Sequence, residues 1–213
     1  MSVRVVTVSR EFGSGGKEFG HVLAGRLGWD YVDSRLVDEV AQRMQCPEDV
    51  VQRWDERGEG VILRLLRAMQ AAHPEAVAPG PIGPALLGND PSPERVAAVV
   101  REMIAEEARR GHAVIVGRGA AWVLAEEPGV LHVRLVGDRA DRIARLADRL
   151  SSSRENATKL VDQTDRERVA YLKHHFGVDP RDPHHFDLVF NTSRVEIAWA
   201  IRVVERMIRG DES

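Results

Sequence analysis

A glycine loop set between an apolar run and an amphipathic stretch constrains this chain more than any other feature. Ser9-Arg-Glu-Phe-Gly-Ser-Gly-Gly-Lys-Glu18 follows the run Val3–Val8 and leads into Lys17–Leu27. The order strand, glycine loop with a lysine, helix is phosphate-binding architecture. Gly13, Gly15 and Gly16 let the backbone turn tightly and aim its N–H groups inward. The helix start adds the positive end of a dipole, and Lys17 adds a full charge that reaches outer phosphates. Only three of the 30 basic residues are lysines (Lys17, Lys159 and Lys173), so a lysine in this loop stands out. Of the pattern G-x-x-x-x-G-K-[ST], Gly16-Lys17 is present, while Glu11 takes the first glycine position and Glu18 the Ser/Thr position. An ordinary glycine turn between strand and helix is the competing reading of the segment alone.

The rest of the chain repeats the strand–helix alternation. Val3–Val8, Trp29–Val32, His112–Val116, Val130–Val136 and Asp187–Phe190 read as strands, and Lys17–Leu27, Asp138–Ser152, Ala157–His174 and Val195–Arg209 as helices. Alternation of this kind predicts a parallel sheet covered on both faces, with ligand at the carboxyl ends of its strands. Residues 34–110 contain no convincing strand. Leu36–Met44 and Val61–Met69 carry helical spacing, Pro47 opens a further helix, and His73–Pro93 holds most of the prolines. Ser92 as N-cap and Pro93 at the first helical position start a long helix. A helical lobe is thus inserted between the second and third strands, either as a closing element over substrate or as a structural cap.

Composition narrows the function classes. The chain has 213 residues, 43% hydrophobic and 30% charged, which suits one globular domain with an inserted lobe. A net charge of −3 gives no general attraction to nucleic acid or to an anionic membrane, although arginines concentrate in Arg139–Arg168. Cys46 is the single cysteine and builds no disulfide framework. There is no signal-peptide pattern and no apolar run of membrane-spanning length, so a cytoplasmic protein with small-molecule partners is expected.

Several further segments carry candidate chemistry. Asp33-Ser34-Arg35 follows the second strand and either caps a helix or holds an acceptor phosphate through Ser34 and Arg35. In Gly117-Arg118-Gly119 the glycines let a ligand approach the backbone while Arg118 forks onto phosphate or carboxylate. Arg142, Arg145 and Arg149 share a helix face with Asp138, Asp141 and Asp148 interleaved, and Arg139 and Arg154 flank them; a solvated, salt-bridged helix competes with an anion-binding lid. Asp162, Asp165 and Arg168 share the next helix face. His174, His175, His184 and His185 invite a zinc reading that the intervening loop disfavours, and Trp29, Trp54, Trp122 and Trp199 are expected to pack in the core or lobe.

Taken in order, SREFGSGGKEFG, WDYVDSRL, VIVGRGAAWVL, DQTDRERVAYLKHHFG and DLVFNTSR resemble the cytidylate kinase-like family across nearly the whole chain. The resemblance implies an α/β three-layer P-loop NTPase fold: a five-stranded parallel sheet flanked by helices, with a helical insert and a lid. It implies a single domain with its core in residues 1–33, 111–140 and 186–213, an acceptor-binding insert over about 34–110 and a lid over about 141–185. The implied activity is transfer of the γ-phosphoryl of ATP, with Mg2+, to CMP, dCMP or a related nucleotide. ATP is then expected at Gly13, Ser14, Gly15, Gly16, Lys17 and Glu18. Lys17, Arg145 and Arg149 would neutralise the transferred group, and the acceptor would lie among Asp33, Ser34, Arg35, Arg118, Asp165 and Arg168. The chain departs from true cytidylate kinases at Arg10 (aspartate there), Val116 (acidic), Glu18 (small), Gly119 (aspartate) and Val161 (arginine). Two alternatives stand beside this activity: a kinase of another small molecule, and a nucleotide-binding regulatory protein without turnover.

Overall fold

The computed structural model describes residues 2–33, 35–44 and 93–210. Its centre is the strand β1 (Val5–Arg10), whose Val5, Val6 and Val8 are almost wholly excluded from solvent. A strand buried on both faces reads as a continuous apolar run rather than an alternation. β1 lies between β3 (Ala113–Val116) and β4 (Val130–Val136), and β2 (Asp30–Val32) and β5 (Leu188–Asn191) form the edges. All pairings are parallel, in the order β2-β3-β1-β4-β5, with Val8 opposite Val116 and Arg10 opposite Leu135.

Alternate residues of the strands feed two apolar layers. On one face Val6, Val8, Val114, Val133 and Leu135 pack against Phe19 and Leu23 of α1 (Gly16–Leu27) and Ile201 and Val204 of α7 (Ile197–Arg209). On the other, Val5, Val32 and Ile115 meet Val40 of α2 (Arg35–Met44), Val96, Val100 and Ile104 of α3 (Pro93–Arg110), and Leu124 beyond the short α4 (Ala120–Val123). A smaller cluster joins Phe12 of the glycine loop to Ile143 and Leu146 of α5 (Arg139–Leu150) and Leu160 and Val161 of α6 (Arg154–Phe176). Each buried side chain of this size contributes roughly 1.5–3 kcal/mol, so the third cluster is a substantial anchor for the loop.

The five strands and the helices around them match the expected fold class. Differences fall at the ends of elements. β1 continues through Ser9 and Arg10, because backbone pairing with Arg134 and Leu135 persists beyond the apolar run. α6 begins at Arg154 rather than Ala157, since the Ser153 side chain accepts from Asn156 N–H at 3.2 Å and nucleates the turn earlier. α3 starts at Pro93 as expected, whereas Val61–Met69, the proline-rich stretch, Pro47, Ser92, Cys46 and Trp54 lie outside the described residues. Among the described residues, no helix is long and apolar enough to cross a membrane. Trp199 departs from expectation: it is 46% exposed and meets Phe190 only edge-on. Trp29 packs against His112, and Trp122 against Phe176, His185 and Phe186.

One polar pair sits inside the sheet. Thr7, buried in β1, meets His132 of β4 with Oγ1 and Nδ1 2.7 Å apart. Burial holds the His132 imidazole below its ordinary pKa, with the nearby Asp187 charge opposing. Both the folded and unfolded states are neutral well above about pH 6.5. On acidification the unfolded chain takes the proton first, so this residue removes stability as pH falls below about 6.5. Urea midpoints at pH 7.5 and 5.5 should therefore drop further for the parent protein than for His132→Asn. Equal drops would show that His132 is not responsible.

Candidate active site

The glycine loop joins β1 to α1 at the carboxyl end of the central strand. Gly13 and Gly15 adopt φ of 82° and 87°, a region that a side-chain-bearing residue enters only with strain. A Cβ on Gly13 would stand 2.8 Å from the main-chain oxygen of Arg142, so α5 presses directly on the loop. The start of α1 has Gly15 as its cap and no side chain bonded to it, which leaves the first-turn N–H groups to face a ligand. Ser14 turns the other way: its hydroxyl donates to Glu11 O at 2.8 Å and Leu135 O at 3.2 Å, tying the loop to β4.

Arg142 organises the loop from outside. Its side chain is 7% exposed and donates through Nη1 to Phe12 O at 2.9 Å and to Asp165 at 2.6 Å, and through Nε to Gly137 O at 2.8 Å. Glu11 lies 3.3 Å from the same guanidinium and accepts from Gly137 N–H at 3.0 Å. Asp165 also accepts from Phe12 N–H at 2.8 Å. Both polar groups of the Phe12 backbone are thus held, one by α5 and the other by α6.

A cavity of about 420 Å³ opens beside this loop. Arg10, Glu11, Phe12, Gly13, Gly15, Gly16 and Lys17 line it together with Asp33, Val116 and Arg168, and α5 contributes Leu146 and Arg149, with Leu150 at its end. Lys17 is exposed, as a side chain awaiting an anionic ligand can be. Arg168 is 8% exposed, stacks its guanidinium 5.3 Å from the Phe12 ring centre and donates to Arg10 O at 3.4 Å. Asp33 is 3% exposed and accepts from the Tyr31 hydroxyl at 3.0 Å.

The residues singled out from sequence therefore divide. Gly13, Gly15, Gly16, Lys17, Asp33, Arg149 and Arg168 converge on one cavity. Arg118 sits behind it, 1% exposed at φ 55°, and donates to the main-chain oxygen of Asp33, so it pins the end of β2 to that of β3. Arg145 is directed to Thr192, bonding Oγ1 at 2.9 Å and the carbonyl at 2.5 Å. Asp165 is engaged by Arg142 and Phe12, and Glu18 is exposed on the first turn of α1, off the cavity lining. Arg35 opens α2, and Ser34 lies outside the described residues. Of the four histidines, His184 pairs with Asp182 at 2.7 Å, His185 packs on Trp122, and the rings of His174 and His175 stand 4.7 Å apart.

Sequence reasoning missed the role of Arg142 as the organiser of the loop. A signal for Arg142 exists: it lies four residues before Leu146 and beside Ile143, on the face that α5 buries. Arg142→Met keeps the stem and removes every donor, stranding the partly buried carboxylates of Glu11 and Asp165. The expected loss is about 3 kcal/mol of unfolding free energy in urea. Arg142→Lys should recover only part of it, because one ammonium cannot reproduce the planar fork. Full recovery by lysine would show that charge alone suffices.

Comparison with known proteins places this geometry. Residues 5–194 match the cytidylate kinase-like family. A cytidylate kinase of Ignicoccus hospitalis is 32% identical over 111 residues, which is 51% of this chain and 63% of that protein, less than two thirds of the relative's length. An uncharacterized protein from Eubacterium ventriosum superposes with a TM-score of 0.67 at 18% identity, covering 97% of this chain and 99% of the other. Shikimate kinase from Bacteroides thetaiotaomicron superposes with a TM-score of 0.54 at 14% identity, covering 99% and 100%. At such identities these likenesses concern the fold alone. The match over residues 5–194 goes further: the chain belongs to the cytidylate kinase-like family.

Proposed function

We propose that this protein is a P-loop phosphotransferase of nucleoside monophosphate kinase type, moving the γ-phosphoryl of ATP to CMP, dCMP or a related nucleotide. One observation carries the reading: a single cavity joins an open helix N-terminus and Lys17 to Asp33, Arg149 and Arg168. The first group suits a triphosphate tail, and the second suits an anionic acceptor.

The reaction needs positioning and charge neutralisation more than bond-making side chains. An oxygen of the acceptor phosphate attacks the γ-phosphorus, the bond to the β–γ bridging oxygen breaks, and ADP leaves. Loop N–H groups and Lys17 hold the outer phosphates. Arg149, on the helix that covers the cavity, supplies positive charge to the equatorial oxygens; Arg145 joins it only by leaving Thr192. The acceptor phosphate is already anionic, so no general base is required. The α5–α6 region acts as a lid, excluding water that would otherwise take the phosphoryl group.

Mg2+ in such a site uses one or two carboxylates, with phosphate oxygens and water completing its shell. Asp33 would hold it while keeping its bond from the Tyr31 hydroxyl, and Glu11, which also lines the cavity, faces the Arg142 guanidinium instead. When bound, the ion would screen charge on the outer phosphates.

ADP formation from ATP and Mg2+ over a panel of nucleoside monophosphates tests the reading. Turnover stimulated by CMP or dCMP, reduced roughly 100-fold or more in Lys17→Ala, is the expected outcome. Unchanged turnover in a folded Lys17→Ala protein would sink the mechanism. ATP binding without transfer to any acceptor in the panel would favour the regulatory alternative.

A further inference from the structure

We propose that two copies of this chain associate through β5, whose outer edge pairs antiparallel with the same edge of a second copy about a two-fold axis at Val189. The inference goes beyond the phosphotransferase reading and does not depend on it.

The edge is open. β5 borders the sheet and pairs with β4 alone. Asp187 N–H donates inward to His132 O at 2.9 Å. A strand at the border of a parallel sheet bonds its neighbour through alternate residues, so Leu188 and Phe190 direct their N–H and C=O groups outward. Among the described residues, none bonds to them there. Natural sheets blunt such an edge with charge, proline or a covering element. Here the strand reads Leu-Val-Phe-Asn. The adjacent charge, Asp187, is turned inward, its Oδ2 accepting from His132 N–H at 2.7 Å.

Apolar surface gathers on both faces beside that edge. Phe190 belongs to the layer beneath α1 and α7, so Val189, one residue earlier, projects from the opposite face, where it is 45% exposed. On the first face Trp199 of α7 meets Phe190 edge-on and stays 46% exposed. Arg26 and Arg209 grip Glu205 on the α1 side of α7, which leaves Trp199 and Met207 on the side away from α1. Of the large apolar residues exposed among the described residues, Val22 alone lies elsewhere. Clustered exposure of this kind marks an interaction surface, whereas scattered single residues do not.

A two-fold axis at Val189 makes the surface complementary to itself. Leu188 then faces Phe190 of the second copy, and each gives and takes a main-chain hydrogen bond, as opposed residues of an antiparallel pair do. Val189 meets its own copy at the closer, non-hydrogen-bonded position, with Cβ atoms about 4.5–5.5 Å apart. Asn191 falls opposite Asp187 of the second copy. Its Oδ1 accepts from Ser193 N–H at 3.0 Å, so its amide N–H groups remain to donate to that carboxylate. An unrelated extended segment would satisfy the backbone groups but would not supply both the valine contact and the amide–carboxylate pair. Those two features select a second copy as the occupant.

Sedimentation equilibrium of the full chain over a concentration series tests the proposal. The parent should approach twice the mass of one chain as concentration rises. Val189→Lys sets two ammonium groups against each other on the axis and should weaken the dimer roughly tenfold or more, with an unchanged circular dichroism spectrum. A cross-link reads the same contact by position. In a Cys46→Ser background, Val189→Cys oxidised with copper phenanthroline should give a disulfide-linked dimer, because the axis brings the two side chains together. Val22→Cys in that background should not. The cross-link carries the test if Val189→Lys does not fold. A parent that stays monomeric throughout the series, a dimer that Val189→Lys leaves intact, or linkage through Val22→Cys in place of Val189→Cys would each overturn the proposal.

Discussion

The guanidinium of Arg142 ties three parts of the chain to one point. It bonds the loop at Phe12, the end of β4 at Gly137 and the helix α6 at Asp165, with Glu11 alongside. A loop with three glycines in four residues is costly to order, at roughly 1–2 kcal/mol per residue fixed. Packing of Phe12 against Ile143, Leu146 and Leu160 offsets part of that cost, and the polar clasp sets the direction of the backbone. The cavity exists because both act on the same short segment. Remove the clasp and the backbone of this loop would lose the groups that fix its direction.

The same economy of charge shapes the rest of the site. Arginines on α5 are not equivalent: Arg139 pairs with Asp162 at 2.6 Å, Arg142 with Asp165, Arg145 with Thr192, and Arg149 reaches the cavity. Two of these pairings join α5 to α6, so the region over the cavity is a braced pair of helices. Exposed pairs such as Arg139–Asp162 add little stability individually. Their effect here is register, since α5 must bring Arg149 and Leu146 over the loop while its backbone touches Gly13.

Much of the architecture was legible because apolar runs and glycine punctuation report directly on buried strands and tight turns. Val3–Val8 and Val130–Val136 announced the inner sheet, and Gly13–Lys17 announced the loop. The limits were equally physical. Ser9 and Arg10 extend β1 through backbone pairing, which hydrophobicity does not register. Arg118 read as a ligand-facing fork, yet it is 1% exposed and bonded to a main-chain oxygen. Periodicity grouped Arg142, Arg145 and Arg149 on one face, but their long stems diverge to a loop, a strand end and a cavity. A helix-face argument locates the Cα and leaves the head group of an arginine free over several ångströms.

The departures from the standard phosphate-loop pattern make sense as a set. Glu11 occupies the first glycine position, and its carboxylate takes the Gly137 N–H and sits beside Arg142. That acid gives the buried guanidinium a second counter-charge, without which one carboxylate would face a cation bonded mainly to carbonyls. Arg10 precedes it and uses the space that Gly16 and Gly117 leave open. The two neighbours therefore point to different contacts: Glu11 joins the glycine loop to Gly137 and Arg142, and Arg10 crosses to Gly117 at the end of β3. Glycine at position 11 would supply the first glycine of the motif, with Glu18 still in the Ser/Thr position, and would remove a member of the Arg142 clasp.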